Sequence, residues 1–310
     1  MKIIKSITTI YNKMSNFGKI LIFIVLLLAV MAFFRAVLSM KKKEGFIQNE
    51  KFLFKEDNDI YDDFYANIYD YLVFNIVKND YECGAIVRTT QPDSTSVIAD
   101  IGCGTGHHVA KLSEKNLNVV GIDISPSMIK QAQQNYPGLK FKVGDALDNS
   151  IFKYNSLTHI LCLYFTIYYF KDKRYFFDNC MEWLMPGGYL IVHLVDRETF
   201  DPILPPGNPL YIVSPQKYAK ERITKTKITF EEFTYNSNFN LDKDNDVATF
   251  DEKFKFNDGN VRKQQQVLHM EDTTSIVNQA QDCGFIMNSK VDLVKCAYEN
   301  QYLYIFVKPG

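Results

Sequence analysis

The alternation of apolar and polar positions changes character three times along this chain. Residues 20–34 form an unbroken apolar run that continues past Arg35 through residues 36–38. As a helix, residues 20–38 would rise about 28 Å, close to the hydrocarbon thickness of a bilayer. Arg35 stands near the end, where its long side chain can reach outward. Lys41, Lys42 and Lys43 follow where a signal peptide would carry a small-residue cleavage site. The expectation is an N-terminal tail at 1–19, an uncleaved transmembrane anchor at 20–38 and a charged linker at 39–55. Beyond it, Tyr61, Phe64, Tyr65, Ile68, Tyr69 and Leu72 recur at helical spacing, until "TTQPDSTS" breaks the pattern.

From residue 96 the period switches between strand and helix. Apolar, β-branched runs at 96–101, 118–123, "LKFKVGD", "THILCLYF" and "YLIVHLV" read as five strands. Helical stretches at 107–115 and 175–184 lie between them, with a third that starts at Ser125 as N-cap with Pro126 in the first position. Strands alternating with helices predict an α/β domain with a doubly wound, mainly parallel sheet. Residues 200–270 depart from that rhythm. The proline-rich stretch "DPILPPGNPLYIVSP" excludes a helix and reads as a loop or lid. Strands at 228–235, 249–256 and 261–268 follow, the last two joined through the turn "NDGN". A helix at 273–282 and two closing strands, "IMNSKVDL" and "YLYIFVK", complete one domain over 56–310 with an antiparallel β insertion at 200–270.

Composition narrows the functional classes. With 36 acidic against 35 basic side chains in 310 residues, the net charge of -1 argues against nucleic acid as a partner. The six cysteines lack CxxC pairs or histidines at metal spacing, so they read as reduced structural residues and no metal site is expected. No partner protein can be inferred.

The densest chemical signal is "VIADIGCGTGHHVAKL", residues 97–112. Gly102, Gly104 and Gly106 follow an apolar run that ends in Asp100. The spacing is G-x-G-x-G, whereas a dinucleotide-binding loop has G-x-G-x-x-G. An acid two residues before the first glycine suits a zwitterionic amino-acid tail, with Asp100 toward its ammonium and the loop backbone beside it.

D-I-G-C-G-T-G, residues 100–106, resembles the first motif of class I S-adenosylmethionine-dependent methyltransferases. The resemblance implies their Rossmann-like fold and S-adenosyl-L-methionine as cofactor. It assigns the cofactor site to Asp100, Gly102, Cys103, Gly104, Gly106, Asp123, Ile124, Met128, Asp145, Ala146 and Leu163. Asp123, ending the second strand, would take both ribose hydroxyls. Asp145 in "GDAL" would meet the adenine amino group, with Ala146 and Met128 beside the ring. "CLYFTIYYF" resembles the motif that opens toward substrate, and "LMPGGYLIV" the turn before the fifth strand. Local readings stand beside these: Asp123 as a helix cap, Asp145 as a turn residue, His108 as structural. Tyr65 or Tyr69 could touch cofactor from a lid helix, and His107 could approach its carboxylate. Acceptor-side candidates are Tyr164, Thr166, Tyr168 and His193, with Asp196 and Arg197, and a core role for His193 weighs against a catalytic one.

The functional expectation is a membrane-anchored methyltransferase acting on a small-molecule or lipid-like acceptor. Its alternatives are an inactive cofactor-binding scaffold and a methyltransferase of a membrane-proximal protein. A cytosolic catalytic domain is expected, because the cofactor is made in the cytosol and no Asn-x-Ser/Thr sequon occurs.

Overall fold

The computed structural model describes residues 15–40, 51–207 and 214–310. The parts of the tail at 1–14, of the linker at 41–50 and of the lid at 208–213 lie outside the described residues. The chain divides into two units, residues 1–49 and 50–310. In the first, helix α1 (Asn16–Met40) carries the apolar run. Its side chains are described over residues 17–30, about 21 Å of helix against a hydrocarbon core of roughly 30 Å. Among the described residues no helix is long and apolar enough to cross a membrane. The expected transmembrane anchor at 20–38 is corrected on that finding, and with it the single-pass localisation with a cytosolic catalytic domain.

The second unit opens with strand β1 (Phe52–Glu56), then helices α2 (Asp63–Leu72) and α3 (Ile76–Thr90). Next come β2 (Val97–Ile101), α4 (His107–Ser113), β3 (Asn118–Asp123), α5 (Pro126–Asn135) and β4 (Lys140–Val143). They are followed by β5 (Leu157–Cys162), α6 (Lys173–Trp183) and β6 (Leu184–Val195). Four strands then run in succession: β7 (Lys225–Thr229), β8 (Phe233–Asp242), β9 (Val247–Phe256) and β10 (Val261–His269). Helix α7 (Thr273–Asp282) precedes the closing pair β11 (Ile286–Asp292) and β12 (Gln301–Val307).

The central sheet has the order β11-β12-β6-β5-β2-β3-β4. Its strands from β2 to β6 pair in parallel, and β12 lies antiparallel between β6 and β11. Parallel strands covered on both faces need continuous apolar runs. Accordingly, adjacent residues such as Ile98 and Ala99, or Ile160 and Leu161, are all fully buried. The second sheet, β1-β10-β9-β8-β7, is antiparallel except for the β1–β10 pair.

Three local differences from the sequence reading have clear causes. Asn75 accepts hydrogen bonds from the amides of Val77 and Lys78 and caps a new helix, so α3 begins apart from α2. Glu231 and Glu232 form a two-residue turn closed by the Phe230 amide on the Phe233 carbonyl at 2.9 Å, so one expected strand becomes the β7–β8 hairpin. Phe52–Glu56, which reads as linker in the sequence, pairs with β10 through alternating exposed and half-buried positions.

Candidate functional site

A cavity of about 350 Å³ is lined by the chain just beyond β2, β3, β4 and β5, by α2 and by the inner face of the second sheet. Loops at the carboxyl ends of parallel strands are the expected ligand position of an open α/β sheet.

Asp100, the last residue but one of β2, lines this cavity and is 1% exposed, yet its Oδ2 has no hydrogen-bond partner. Burial, with the nearby Asp123 and Glu82 charges adding to it against His108, raises its pKa to about 6. Asp123 at the end of β3 is held differently. Its Oδ2 accepts from the Gly104 amide and its Oδ1 from the Ser125 amide, both at 2.9 Å. Burial raises its pKa while these two amides pull the other way. Ser125 in turn caps α5 through the Met128 amide and donates to the Tyr61 carbonyl at 2.6 Å, tying α5 to the chain that leads into α2.

The glycines divide their work. A Cβ added at Gly104 would meet nothing closer than Tyr69 Cε1 at 3.7 Å, so the cavity passes over this residue. A Cβ at Gly106 would lie 2.7 Å from the Phe141 ring, and Gly106 is not among the cavity lining. Its glycine serves packing of the loop on β4, with φ at +91°.

Of the other expected cofactor residues, Gly102, Cys103, Ile124, Met128, Asp145, Ala146 and Leu163 all line the same cavity. Asp145 Oδ1 accepts from the Leu147 amide at 2.9 Å in an exposed turn, and Ala146 is pinned by Asn179 on its carbonyl at 3.0 Å.

The acceptor candidates separate into two groups. Tyr164 and Thr166 line the cavity; Tyr168 and His193 do not. Tyr168 is fully buried and its hydroxyl accepts from the Val195 amide at 2.8 Å. His193 is fully buried, with Nδ1 on the Tyr164 carbonyl and Nε2 on Gln301 Oε1 at 3.1 Å. Burial, reinforced by the Lys78 charge, pushes its pKa down to about 4, so it is a neutral core residue. Asp196 is turned to the Glu198 amide, and Arg197 to Asp246 and the Met270 carbonyl, both away from the cavity lining.

Sequence reasoning missed two constellations. Lys78, 1% exposed, sits 2.7 Å from Glu82 and 3.9 Å above the Tyr164 ring, and Glu82 also meets His108 Nε2 at 3.1 Å. Burial raises the Glu82 pKa, but Lys78 and His108 outweigh it and bring it to about 2. Lys78 is thus spent on Glu82, while Asp70, Asp100, Asp123, Asp145 and Asp201 also line the cavity. The lining therefore favours cations. The second constellation joins Tyr61, Tyr65 and Tyr169 to Gln264, Gln266 and the buried Glu252 of the second sheet. Phe200, Phe239, Phe250 and Leu268 add apolar surface to the same cavity lining.

Residues 98–188 match the family described as "Methyltransferase domain". A curated relative, the dTDP-4-amino-2,3,4,6-tetradeoxy-D-glucose N,N-dimethyltransferase of Saccharopolyspora spinosa, is 29% identical over 45% of this chain and 57% of its own length. The "Putative methyltransferase 235L" of Invertebrate iridescent virus 6 is 32% identical over 34% of this chain and 40% of its own. The match thus spans about half the length of these relatives. The crystal structure of an S-adenosylmethionine-dependent methyltransferase from Clostridium acetobutylicum superposes with a TM-score of 0.60 at 17% identity, covering 79% of this chain and 98% of that one.

Proposed function

We propose, from the premise that the chain carries a class I S-adenosylmethionine-dependent methyltransferase domain, that it methylates a small molecule held beneath the five-stranded sheet. The observation that carries this is Asp100: a buried carboxylate oxygen on the cavity wall with no partner. Such a group is costly to bury unless a ligand supplies a donor, and the ammonium of an amino-acid tail is one.

The remaining residues fit the same cofactor. Asp123, steadied by two amides, keeps lone pairs for paired ribose hydroxyls. Met128 and Ala146 offer apolar surface for a flat base, and Asp145 an acceptor for its amino group. The lining acids suit a sulfonium cation. S-Adenosylmethionine brings an already activated methyl group, so the chain need only align the acceptor and exclude water. Phe200, Phe239, Phe250 and Leu268 perform the exclusion, and Tyr61, Tyr169 and Gln266 offer the polar groups that orient an acceptor. The amino-sugar dimethyltransferase relative supports an acceptor of sugar size bearing an amine.

Titration calorimetry of the full chain with S-adenosylmethionine tests the reading. Binding by the wild type that is lost in Asp123→Ala is the expected result. A folded wild type that takes up no cofactor would overturn it.

A further inference from the structure

We infer that Glu252 fixes the direction of a hydrogen-bond chain ending at Tyr61, so that the cavity presents only lone pairs there and selects a methyl acceptor bringing its own N–H, an amine. This deepens the methyltransferase reading and rests on it.

Glu252 shares the inner face of β9 with Phe250 and Phe254 and is 1% exposed. A carboxylate can only accept, and this one takes four donors. They are the Tyr65 hydroxyl at 3.1 and 3.2 Å, the Tyr235 hydroxyl at 2.6 Å, Gln264 Nε2 at 2.6 Å and Gln266 Nε2 at 2.9 Å. Gln264 is held in this orientation from its other end, because Arg262 Nε, which can only donate, reaches Gln264 Oε1 at 2.8 Å.

The consequence runs outward along Gln266. With its Nε2 turned to the carboxylate, its Oε1 faces the Tyr169 hydroxyl at 2.5 Å. An amide oxygen accepts, so the single proton of Tyr169 goes to Gln266. The Tyr169 oxygen can then only accept from Tyr61, whose hydroxyl lies 2.5 Å away. The Tyr61 proton is therefore also committed inward, and its oxygen keeps its lone pairs. Tyr61, Tyr169 and Gln266 all line the cavity. Every proton of the chain points toward Glu252, and the cavity end lacks one. An ammonium, an amine or a hydroxyl supplies it, and of these the acidic lining favours the cationic ammonium. A carboxylate or a ketone offers only lone pairs against lone pairs, and a carboxylate also meets the acidic lining.

Two small probes of equal ring size read this polarity: cyclohexylamine and cyclohexanone, titrated into the full chain saturated with S-adenosylhomocysteine and followed by ligand-observed NMR. The wild type should bind the amine at least tenfold more tightly. Glu252→Gln removes the fixed acceptor, lets the Gln266 amide turn over and should reduce the preference to under threefold. The double variant Glu252→Gln/Gln266→Glu puts a carboxylate next to Tyr169 and should restore it, which loss of packing alone would not do. Tyr169→Phe, which cuts the chain without touching the buried carboxylate, should also remove the preference if Glu252→Gln fails to fold. A wild type that prefers neither probe or binds neither, a preference surviving in a folded Glu252→Gln or in Tyr169→Phe, or a folded double variant without rescue would each overturn the inference. Failure of the wild type to bind the cofactor would instead strike the methyltransferase reading, so the two failures are distinct.

Discussion

Replacing Asp100 with asparagine should stabilise the ligand-free protein while abolishing its cofactor site. Burial lifts the Asp100 pKa to about 6 from its ordinary value of 3.8. At 1.36 kcal/mol per pKa unit, holding this carboxylate ionised costs the fold about 3 kcal/mol well above pH 6. Because the folded state grips the proton more tightly than the unfolded one, folding is favoured at low pH and loses stability as pH rises from about 4 through 6. At pH 5 roughly half of the full cost is present. An asparagine side chain cannot ionise and is free of it. Its amide still lacks a partner, but so does Oδ2 of the carboxylate it replaces, so these two penalties largely offset. The net gain of Asp100→Asn is therefore about 1–3 kcal/mol at pH 8, or roughly 2–8 °C in Tm for a domain of this size. All other titrating groups are common to both proteins, so the difference between their melts isolates this one. Thermal melts of both proteins at pH 5 and pH 8, with and without S-adenosylmethionine, give the test. The variant should melt higher, by more at pH 8 than at pH 5, and cofactor should raise only the wild type. A variant melting below the wild type at pH 8, or a gap independent of pH, would refute the argument that Asp100 is strained by waiting for a cation.

Other residues make separable claims. Gly106→Ala should cost roughly 3 kcal/mol in denaturant melts, from its +91° φ and its approach to Phe141. Gly104→Ala meets no such neighbour, so it should cost about 1 kcal/mol in stability while weakening cofactor binding in calorimetry by more than that strain accounts for. Lys78→Met leaves the buried Glu82 with His108 as its one remaining ionisable partner and should cost about 3 kcal/mol by urea unfolding, whereas a loss below about 1 kcal/mol would show that His108 compensates the charge by itself. His193 is already neutral from pH 5 upward, so His193→Gln should leave the shape of the pH–rate profile between pH 5 and 9 unchanged. A lost limb in that profile would restore it as a base.

That Asp100, Asp123 and Asp145 would share one cavity was legible in the chain because each of these acids is locally marked. Asp100, Asp123 and Asp145 each close or follow a short apolar run, and parallel pairing of β2, β3 and β4 brings such positions together without further information. Irregular turns are harder. Tyr168 and Tyr169 are neighbours in a single 3-10 turn, and one hydroxyl goes to the core amide of Val195 while the other reaches Gln266 on the cavity wall. No hydrophobic period distinguishes them, since a 3-10 turn sends adjacent side chains about 120° apart and this one, Thr166–Tyr169, is too short to repeat.

Glu252 is hidden for a different reason. The charges of "FDEKFKF" give it the look of a solvated strand edge, yet strand parity places Glu252 with Phe250 and Phe254 and sends Asp251, Lys253 and Lys255 to the other side. An acid at an apolar parity position must find donors, and the neighbouring strand supplies them at the same parity through Gln264 and Gln266, with Arg262 beside them holding Gln264 in place. A period-two run of arginine and glutamines facing one glutamate across an antiparallel pair is thus a legible sign of a buried polar network. What no pattern could add is its link to Tyr61 and Tyr169, which come from distant parts of the chain. The acids of the cavity are marked at strand ends, one short motif at a time, whereas the polar network on its other wall is assembled across two sheets and emerges only when they close on each other.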